Sequence, residues 1–369
     1  MNDLNILNFF SALEDPRQSW KVLYPLEEVL LVILCGVMAG ADDFVEIKKW
    51  GHKKIDFLRS FLPFKRGIPS HDTLNDIMNA VPSDLFRACF SRWVSALRGA
   101  DPDIVALDGK TSRRAHGADE RPLHTVSAWA SRQRLVLGQE FCDEKENEIT
   151  AIPRLLERLE LRGALVTIDA MGCQNAIAEA ITAKGADYLL ALKGNRKSLH
   201  DEAVLFFESA ENLAMHTTTD ANHGRIEVRK ACVSHDVSWL QSPRKAPEEP
   251  RFPKLACIGM VESEVEAKGQ KTTSRRYYLS SARLTAAQLQ NAVRAHWGIE
   301  NRLHWVMDVV FHDDLMRLRT DNGPANMAII RHTALNLFKE TKTKDSLKVR
   351  RKTAAWDDEY LKTLILPQA

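Results

Sequence analysis

The chain reads as an α/β protein built on one mixed sheet with helices on both faces. A helical region precedes it and a β-rich insertion interrupts it. Three observations predict this. Helical spacing of apolar residues holds to about residue 98, then gives way to short apolar and alternating runs after Gly99-Ala-Asp-Pro102. Those runs follow the order three strands, helix, strand, helix, strand, helix. Three strands that can meander, followed by βαβα units, build a mixed sheet. Residues from about 212 to 283 are β-rich again, and a helical pattern resumes after them.

In the first region, residues 26–39, 44–61, 73–79 and 83–97 carry helical periodicity, punctuated by Pro63, Gly67-Ile-Pro69 and Pro82. Ser70 and Ser83-Asp84 have the chemistry of helix caps. Residues 1–98 are thus expected to form a helical domain. The apolar strand 104–107 ends in Asp108-Gly-Lys-Thr111, and strands 124–131 and 135–141 follow. Helix 151–161 leads to strand 164–168, which ends in Asp169. Helix 173–184 is closed by Gly185, a natural C-cap, and strand 187–192 and helix 198–210 complete the series. Ribonuclease-H-like folds have this order of elements. Strands are expected at 225–234, 255–263 and 275–280, with an exposed loop at 242–250. This stretch, 212–283, interrupts an α/β domain spanning 99–338, because a helical region capped by Thr285 follows it. The tail 339–369 carries Lys339, Lys342, Lys344, Lys348, Arg350, Arg351 and Lys352. Such a cluster can contact phosphates, or it can be a solvated, partly frayed helix.

Composition narrows the class. A chain of 369 residues, 44% hydrophobic and 27% charged, has the composition of a soluble globular protein, and a net charge of +2 does not announce a nucleic-acid binder. Six scattered cysteines without a CxxC pair argue against a zinc framework or a disulfide scaffold and fit a reducing cytoplasm. No signal-peptide pattern is expected at the start, and the longest apolar run, residues 29–40, is too short to span a bilayer.

The chemistry concentrates in three carboxylates. Asp108 and Asp169 stand at the carboxyl ends of apolar strands, where open α/β sheets place their sites. If those strands are neighbours the two carboxylates converge, and they repel unless a cation sits between them. Oxygen donors with few histidines or thiols suit a hard divalent ion such as Mg²⁺. The third is Glu300. Residues 294–308 read as one continuous helix with two apolar stripes: Ile299, Leu303, Val306 and Val310 form one, and Val293, Trp297, Glu300, His304, Met307 and Phe311 the other. Such a helix is expected to be largely buried. Glu300 there needs a partner, either Arg294, Arg302 or a histidine, or else a metal. With Asp108 and Asp169 it would complete a two-metal site. Each Asp alone is more often a turn or cap residue; the joint pattern is what points to chemistry. Gly109-Lys110-Thr111 is not the end of a phosphate-binding loop, because the required earlier glycine is Ile104. His296, His304 and His312 recur at helical spacing, but no Cys or Glu ligands in register make a zinc site of them.

Six motifs in order resemble one family. Asp108-Gly-Lys-Thr111, Thr167-Ile-Asp-Ala-Met-Gly-Cys-Gln174, Tyr188-Leu-Leu-Ala-Leu-Lys-Gly-Asn195, His223-Gly-Arg-Ile-Glu227, Tyr277-Tyr-Leu-Ser280 and His296-Trp-Gly-Ile-Glu-Asn301 together resemble the DDE transposases. The likeness is to the insertion-sequence group that includes the H-repeat-associated proteins. Tyr24-Pro-Leu, Cys35-Gly-Val-Met-Ala-Gly-Ala-Asp-Asp43 and Ile68-Pro-Ser-His-Asp-Thr73 resemble the helical domain that accompanies that catalytic domain, and Arg350-Arg-Lys and Trp356-Asp-Asp-Glu-Tyr360 extend the match to the C-terminal end. The resemblance implies a ribonuclease-H-like core on which Asp108, Asp169 and Glu300 are catalytic and hold two Mg²⁺ ions, with Mn²⁺ able to substitute. Asp108 would bridge both ions. It implies cleavage of double-stranded DNA at element ends and strand transfer into target DNA, by a homodimer or larger assembly. A bacterial cytoplasmic, nucleoid-associated location and no membrane partner go with it. The broader group's Tyr-x2-Arg-x3-Glu-x6-Lys signature is not kept, since Val293, His296 and Met307 occupy those places. Arg294, Arg302 and His304 are therefore the candidates for contacting the DNA backbone, with Lys193, Arg225, Arg350, Arg351 and Lys352.

Three rivals share parts of this pattern. A nuclease of the same fold would cleave without joining strands. A transposase relic would bind DNA without catalysis. A glycosidase also uses paired carboxylates, but the basic clusters and the lack of an aromatic-rich sugar-binding stretch disfavour it.

Overall fold

The computed structural model describes residues 5–99, 103–112, 122–142, 146–211, 213–222, 225–240, 252–316, 318–341 and 343–366. Apolar residues at helical spacing give α1 (Ile6–Ser11), α2 (Leu26–Met38), α3 (Phe44–Lys53), α4 (Ile55–Arg59), α5 (His71–Ala80) and α6 (Ser83–Leu97). Asn5, Asp43 and Ser70 cap α1, α3 and α5 by accepting backbone N–H groups. The single helix expected over 44–61 is two. Lys54 leaves helical geometry and its N–H bonds back to Trp50 and Gly51. Gly51 is where α3 crosses α2 most closely; a Cβ there would stand 2.8 Å from Val32 Cγ2.

The sheet follows: β1 (Ile104–Thr111), β2 (His124–Ala130), β3 (Leu135–Cys142), α7 (Glu148–Glu157), β4 (Leu165–Ile168), α8 (Asn175–Ala183), β5 (Asp187–Leu192), α9 (Lys197–Ser209), β6 (Met215–Asn222), β7 (Arg225–Ser234), β8 (Cys257–Ala267) and β9 (Gln270–Ser280). Its order is β3-β2-β1-β4-β5-β9-β8-β7-β6. β1, β4 and β5 run parallel and the other pairings are antiparallel. The first five strands are the ribonuclease-H-like sheet the element order predicts. The β-rich stretch is continuous with it: β9 pairs with β5, so β6–β9 widen the same sheet. β6, whose Thr-Thr-Thr-Asp run lacks apolar alternation, was not legible as a strand. β8 and β9 are longer than expected because Lys268 and Gly269, at φ 51° and 73°, make the two-residue turn that tight hairpins favour. The loop expected at 242–250 lies outside the described residues.

Helices cover both faces. α7 and α8 pack on one, and α10 (Ala286–His296) crosses β1, β4 and β7 on the other. Adjacent residues of β5 divide accordingly: Leu189 joins Leu289, Ala292 and Val293 of α10, while Leu190 joins the larger core. After α11 (Trp305–Val309), α12 (Gly323–Glu340) runs through the N-terminal helices to the edge of the sheet. Its buried Asn336 accepts the Val136 N–H and donates to the Val136 carbonyl, both at 2.9 Å, so one side chain completes the open edge of β3. Asn326 donates to the carbonyls of Met78 and Val81 and fixes the end of α5.

The C-terminal segment is not a frayed tail. α13 (Leu347–Trp356) and α14 (Asp358–Ile365) fold back, with Leu361, Leu364 and Ile365 buried. Arg350 and Arg351, expected to face phosphates, point inward instead. Arg350 donates to Tyr360 and Thr341 and lies over the Phe338 ring. Arg351 donates to the carbonyls of Val37 and Val310, the C-terminal ends of α2 and α11. Among the described residues, no helix is long and apolar enough to cross a membrane.

Candidate active site

Register brings the two aspartates together. In the parallel pair β1–β4 the last partners are Leu107 and Ile168, so Asp108 and Asp169 are the next residue of each strand. β1 runs on to Thr111 against β2 alone, which leaves Asp108 at the mouth where β4 ends. Asp169 Oδ1 accepts the Met171 N–H at 3.0 Å, an Asx turn that fixes its carboxylate. Lys193 is exposed at the end of the neighbouring β5, on the same rim.

The helix carrying Glu300 corrects the expectation of one uninterrupted, buried α-helix. α10 ends at His296, and residues Glu300–His304 form a π-turn closed by the Trp305 N–H on the Glu300 carbonyl. π-turns insert an extra residue and recur at functional sites. The stripe of Ile299, Leu303, Val306 and Val310 is buried as expected. The second stripe splits: His304, Met307 and Phe311 stay inside, while Trp297 and Glu300 turn outward. The Glu300 side chain is 57% exposed, so burial does not compel it to find a partner. It faces Asp108 all the same. Single donor atoms of Asp108, Glu300 and His304 lie within 4.8 Å of one another. His304 Nδ1 stands 3.1 Å from Glu300 Oε2 and 3.6 Å from Asp108 Oδ2. His304 is buried, which removes it from the DNA-backbone contacts. His296 is buried too and bonds Thr167 Oγ1 through Nδ1 at 3.0 Å.

Charge explains why this cluster suits a cation. Burial pushes Asp108 up to about 7, and the charges of Glu148, Asp169 and Glu300 push the same way. A divalent ion would relieve that repulsion, and two carboxylates plus one imidazole form a donor set for a hard or borderline metal. Burial also holds His304 below its ordinary value, against the opposing pull of the Glu300 carboxylate.

Two neighbours escaped sequence reasoning. Glu148, the first residue of α7, bonds His124 Nε2 at 2.8 Å and lies over Gly109, where an added Cβ would meet its Oε1 at 2.0 Å. Nothing in its local pattern marks it. Lys110, set aside with the rejected phosphate loop, shares the face of β1 with Asp108 because side chains alternate. It holds Asp308 at 2.6 Å and stands 3.5–3.6 Å from Asp314 and Asp313. Asp313 in turn bonds Ser112 at 2.8 Å and Arg331 at 2.5 Å. This network ties the segment after Glu300 to the strand of Asp108, and strand period two was the available signal for it.

The remaining basic residues form a different surface. Arg225, Arg294 and Arg302, with Arg229, Arg276 and Trp297, line a groove of about 1280 Å³ between β7–β9 and α10. Its wall includes Gly298, Asn301 and Arg302, on the turn that carries Glu300. Arg276 stacks over the exposed Trp297 ring at 4.9 Å. Arg225 pairs with Glu227 and Arg294 with Asp220, both at 2.9 Å. Lys352 is exposed on α13.

Carboxylates gathered at the carboxyl ends of parallel strands are an arrangement that metal-dependent phosphoryl-transfer enzymes use. Comparison with known proteins makes the class specific. The family described as "Transposase DDE domain" matches residues 99–337, and that described as "DDE_Tnp_1-associated" matches residues 7–94. The chain is 36% identical over 370 residues to the Escherichia coli (strain K12) protein named "H repeat-associated putative transposase YhhI", covering 98% of this chain and 97% of that one. It is 36% identical over 377 residues to the Escherichia coli O157:H7 protein named "Putative transposase YncI", covering 99% and 95%. A solved piggyBac transposase synaptic complex with hairpin DNA aligns over 98% of this chain and 78% of that one, at TM-score 0.45 and 10% identity. The chain belongs to the DDE transposase family. It is a DNA transposase.

Proposed function

We propose that this transposase hydrolyses a phosphodiester at the ends of its element and joins the freed 3′-OH to target DNA, with Asp108, Asp169 and Glu300 holding two divalent ions. What supports the reading is that Asp108 and Asp169 follow paired residues of adjacent parallel strands, while a π-turn on the far helix brings Glu300 to Asp108. Asp108 would be shared between both ions, with Asp169 and Glu300 each holding one. When bound there, Mg²⁺, or Mn²⁺ in its place, would supply Lewis acidity to the phosphoryl oxygens. The chain's own residues supply placement. The Asx turn holds Asp169, and the Lys110 network holds the Glu300 segment against β1. Glu300, exposed on its outer side, leaves room for a phosphodiester to approach.

Double-stranded DNA is the partner of both steps. Arg225, Arg294 and Arg302 in the groove, Lys193 on the rim and Lys352 on α13 are the proposed backbone contacts. Two such chains acting on paired ends as a homodimer or larger assembly, in the bacterial cytoplasm at the nucleoid, complete the proposal. The domain division after residue 98 is proposed on the separate matches to residues 7–94 and 99–337.

Strand cleavage on element-end DNA in Mg²⁺ tests the reading. Asp108→Asn is expected to abolish it while leaving salt-sensitive DNA binding intact, and undiminished cleavage would overturn the assignment. Supplying pre-cleaved 3′-OH ends separates transposition from nuclease action, because a nuclease would not join them.

A further inference from the structure

We infer that His304 is itself a ligand of the metal ion on the Glu300 side of the site, which makes that position a mixed nitrogen–oxygen centre that prefers Mn²⁺ to Mg²⁺. The inference rests on the DDE reading and goes beyond its three carboxylates.

Geometry carries it. Two donors about 2.1 Å from one ion and at right angles stand about 3.0 Å apart. His304 Nδ1 is 3.1 Å from Glu300 Oε2 and 3.6 Å from Asp108 Oδ2, the spacing of neighbours in one coordination sphere. The backbone is shaped to deliver it. The π-turn spans Glu300 to His304, and its widened turn presents the first and last side chains to the same point. The two are set on opposite walls. The His304 side chain is 6% exposed and closes the inner side, while Glu300 at 57% leaves the outer side open to DNA.

The ring is suited to the role. Without an ion Nδ1 bonds the Glu300 carboxylate; a metal would take the Nδ1 lone pair instead and leave the ring proton on Nε2. Nε2 of His304 is buried without a hydrogen-bond partner among the described residues, and so is Nδ1 of His332 on α12. The two rings are near enough for their charges to interact. Metal-bound histidines as a rule donate their second N–H, and the buried Nε2 of His304 is the atom left to do so. Imidazole nitrogen favours Mn²⁺ and later transition ions, whereas an all-carboxylate site suits Mg²⁺.

The experiment is pulsed electron paramagnetic resonance of the full chain loaded with Mn²⁺ alone, beside calorimetric titration with Mn²⁺ and Mg²⁺. The expected result is ¹⁴N coupling of a directly bound imidazole. It should vanish in His304→Gln, persist in His296→Gln, and be accompanied in His304→Gln by an Mn²⁺ affinity about tenfold weaker. Should His304→Gln fail to fold, ¹⁵N-histidine labelling of the wild type together with His296→Gln still reads the ligand. Mn²⁺ that binds and is lost with Asp108→Asn, but shows no histidine coupling, overturns this inference and leaves the DDE reading standing. Coupling that disappears with His296→Gln instead also overturns it. Mn²⁺ binding indifferent to Asp108→Asn overturns the DDE reading itself.

Discussion

The two halves of the nine-stranded sheet use the same kinds of bond for opposite ends. β3-β2-β1-β4-β5 is sealed on both faces; in β2 and β3 nearly every residue is buried. β9-β8-β7-β6 is covered only at its inner end, where β8 begins and β9 finishes in buried residues; its outer end is open, and the first seven residues of β9 are exposed. Ion pairs occur in both. In the inner half Lys110, 13% exposed, holds aspartates beside the site, and Arg331 meets the buried Asp313. In the outer half Arg275–Glu262 and Arg225–Glu227 form exposed pairs along the strands. Buried pairs fix geometry and are costly to break, whereas exposed pairs contribute little to stability and remain free to exchange partners for phosphate. The sealed half holds carboxylates still, and the open half carries the arginines proposed to contact DNA.

Variants can break this contrast. The largest effect belongs to the acids: Asp169→Asn or Glu300→Gln is expected to cut metal-dependent strand cleavage roughly 10³-fold in a gel assay, without loss of fold by circular dichroism. Next is Lys110→Met, which removes the cation shared by Asp308, Asp313 and Asp314 while the buried Asp313 keeps Arg331 and Ser112. It should cost about 2–3 kcal/mol in urea unfolding, and a loss below about 1 kcal/mol would mean the network does not hold the segment. A pH series probes the same half. Burial drives His332 down to about 3, so below about pH 6.5 the unfolded state takes up a proton that the folded state refuses. Stability from this group is full above pH 6.5 and lost as pH falls toward 3, with a slope of at most about 1.4 kcal/mol per pH unit. His332→Leu should flatten that slope; an unchanged profile would remove His332 from the account. In the open half, Arg302→Ala is expected to weaken DNA binding several-fold and lower the salt slope by about 1, with cleavage of saturating DNA unchanged. Smallest of all, Arg275→Ala should shift stability by less than about 1 kcal/mol.

Much of the inner half was legible because its physics is local. An apolar run ended by Asp108 or Asp169 names both the strand and the functional end, and the order of elements names the sheet. Glu300 was singled out by its motif and by an expectation of burial that the structure overturns. Two apolar stripes suggested a buried helix, but a π-turn rotates Glu300 outward, and no residue pattern here marks an extra residue in a helical turn. The pairing of His304 with Asp108 depends on that same turn and was hidden with it. Arg350 and Arg351 misled in the other direction. A basic cluster looks solvated in sequence, but Arg351 is spent on the carbonyl ends of α2 and α11, a contact set by tertiary packing alone. β6 was missed because an edge strand needs no apolar face to be held by its neighbour.

The central claim is that Asp108, Asp169 and Glu300 gather around a divalent ion. Fe²⁺ substituted for Mg²⁺, with ascorbate and peroxide, cuts the polypeptide backbone close to wherever the metal is bound. The account predicts cuts near residues 108, 169 and 300, suppressed by excess Mg²⁺ and absent in Asp108→Asn. Cuts elsewhere, or the same cuts in Asp108→Asn, would contradict it.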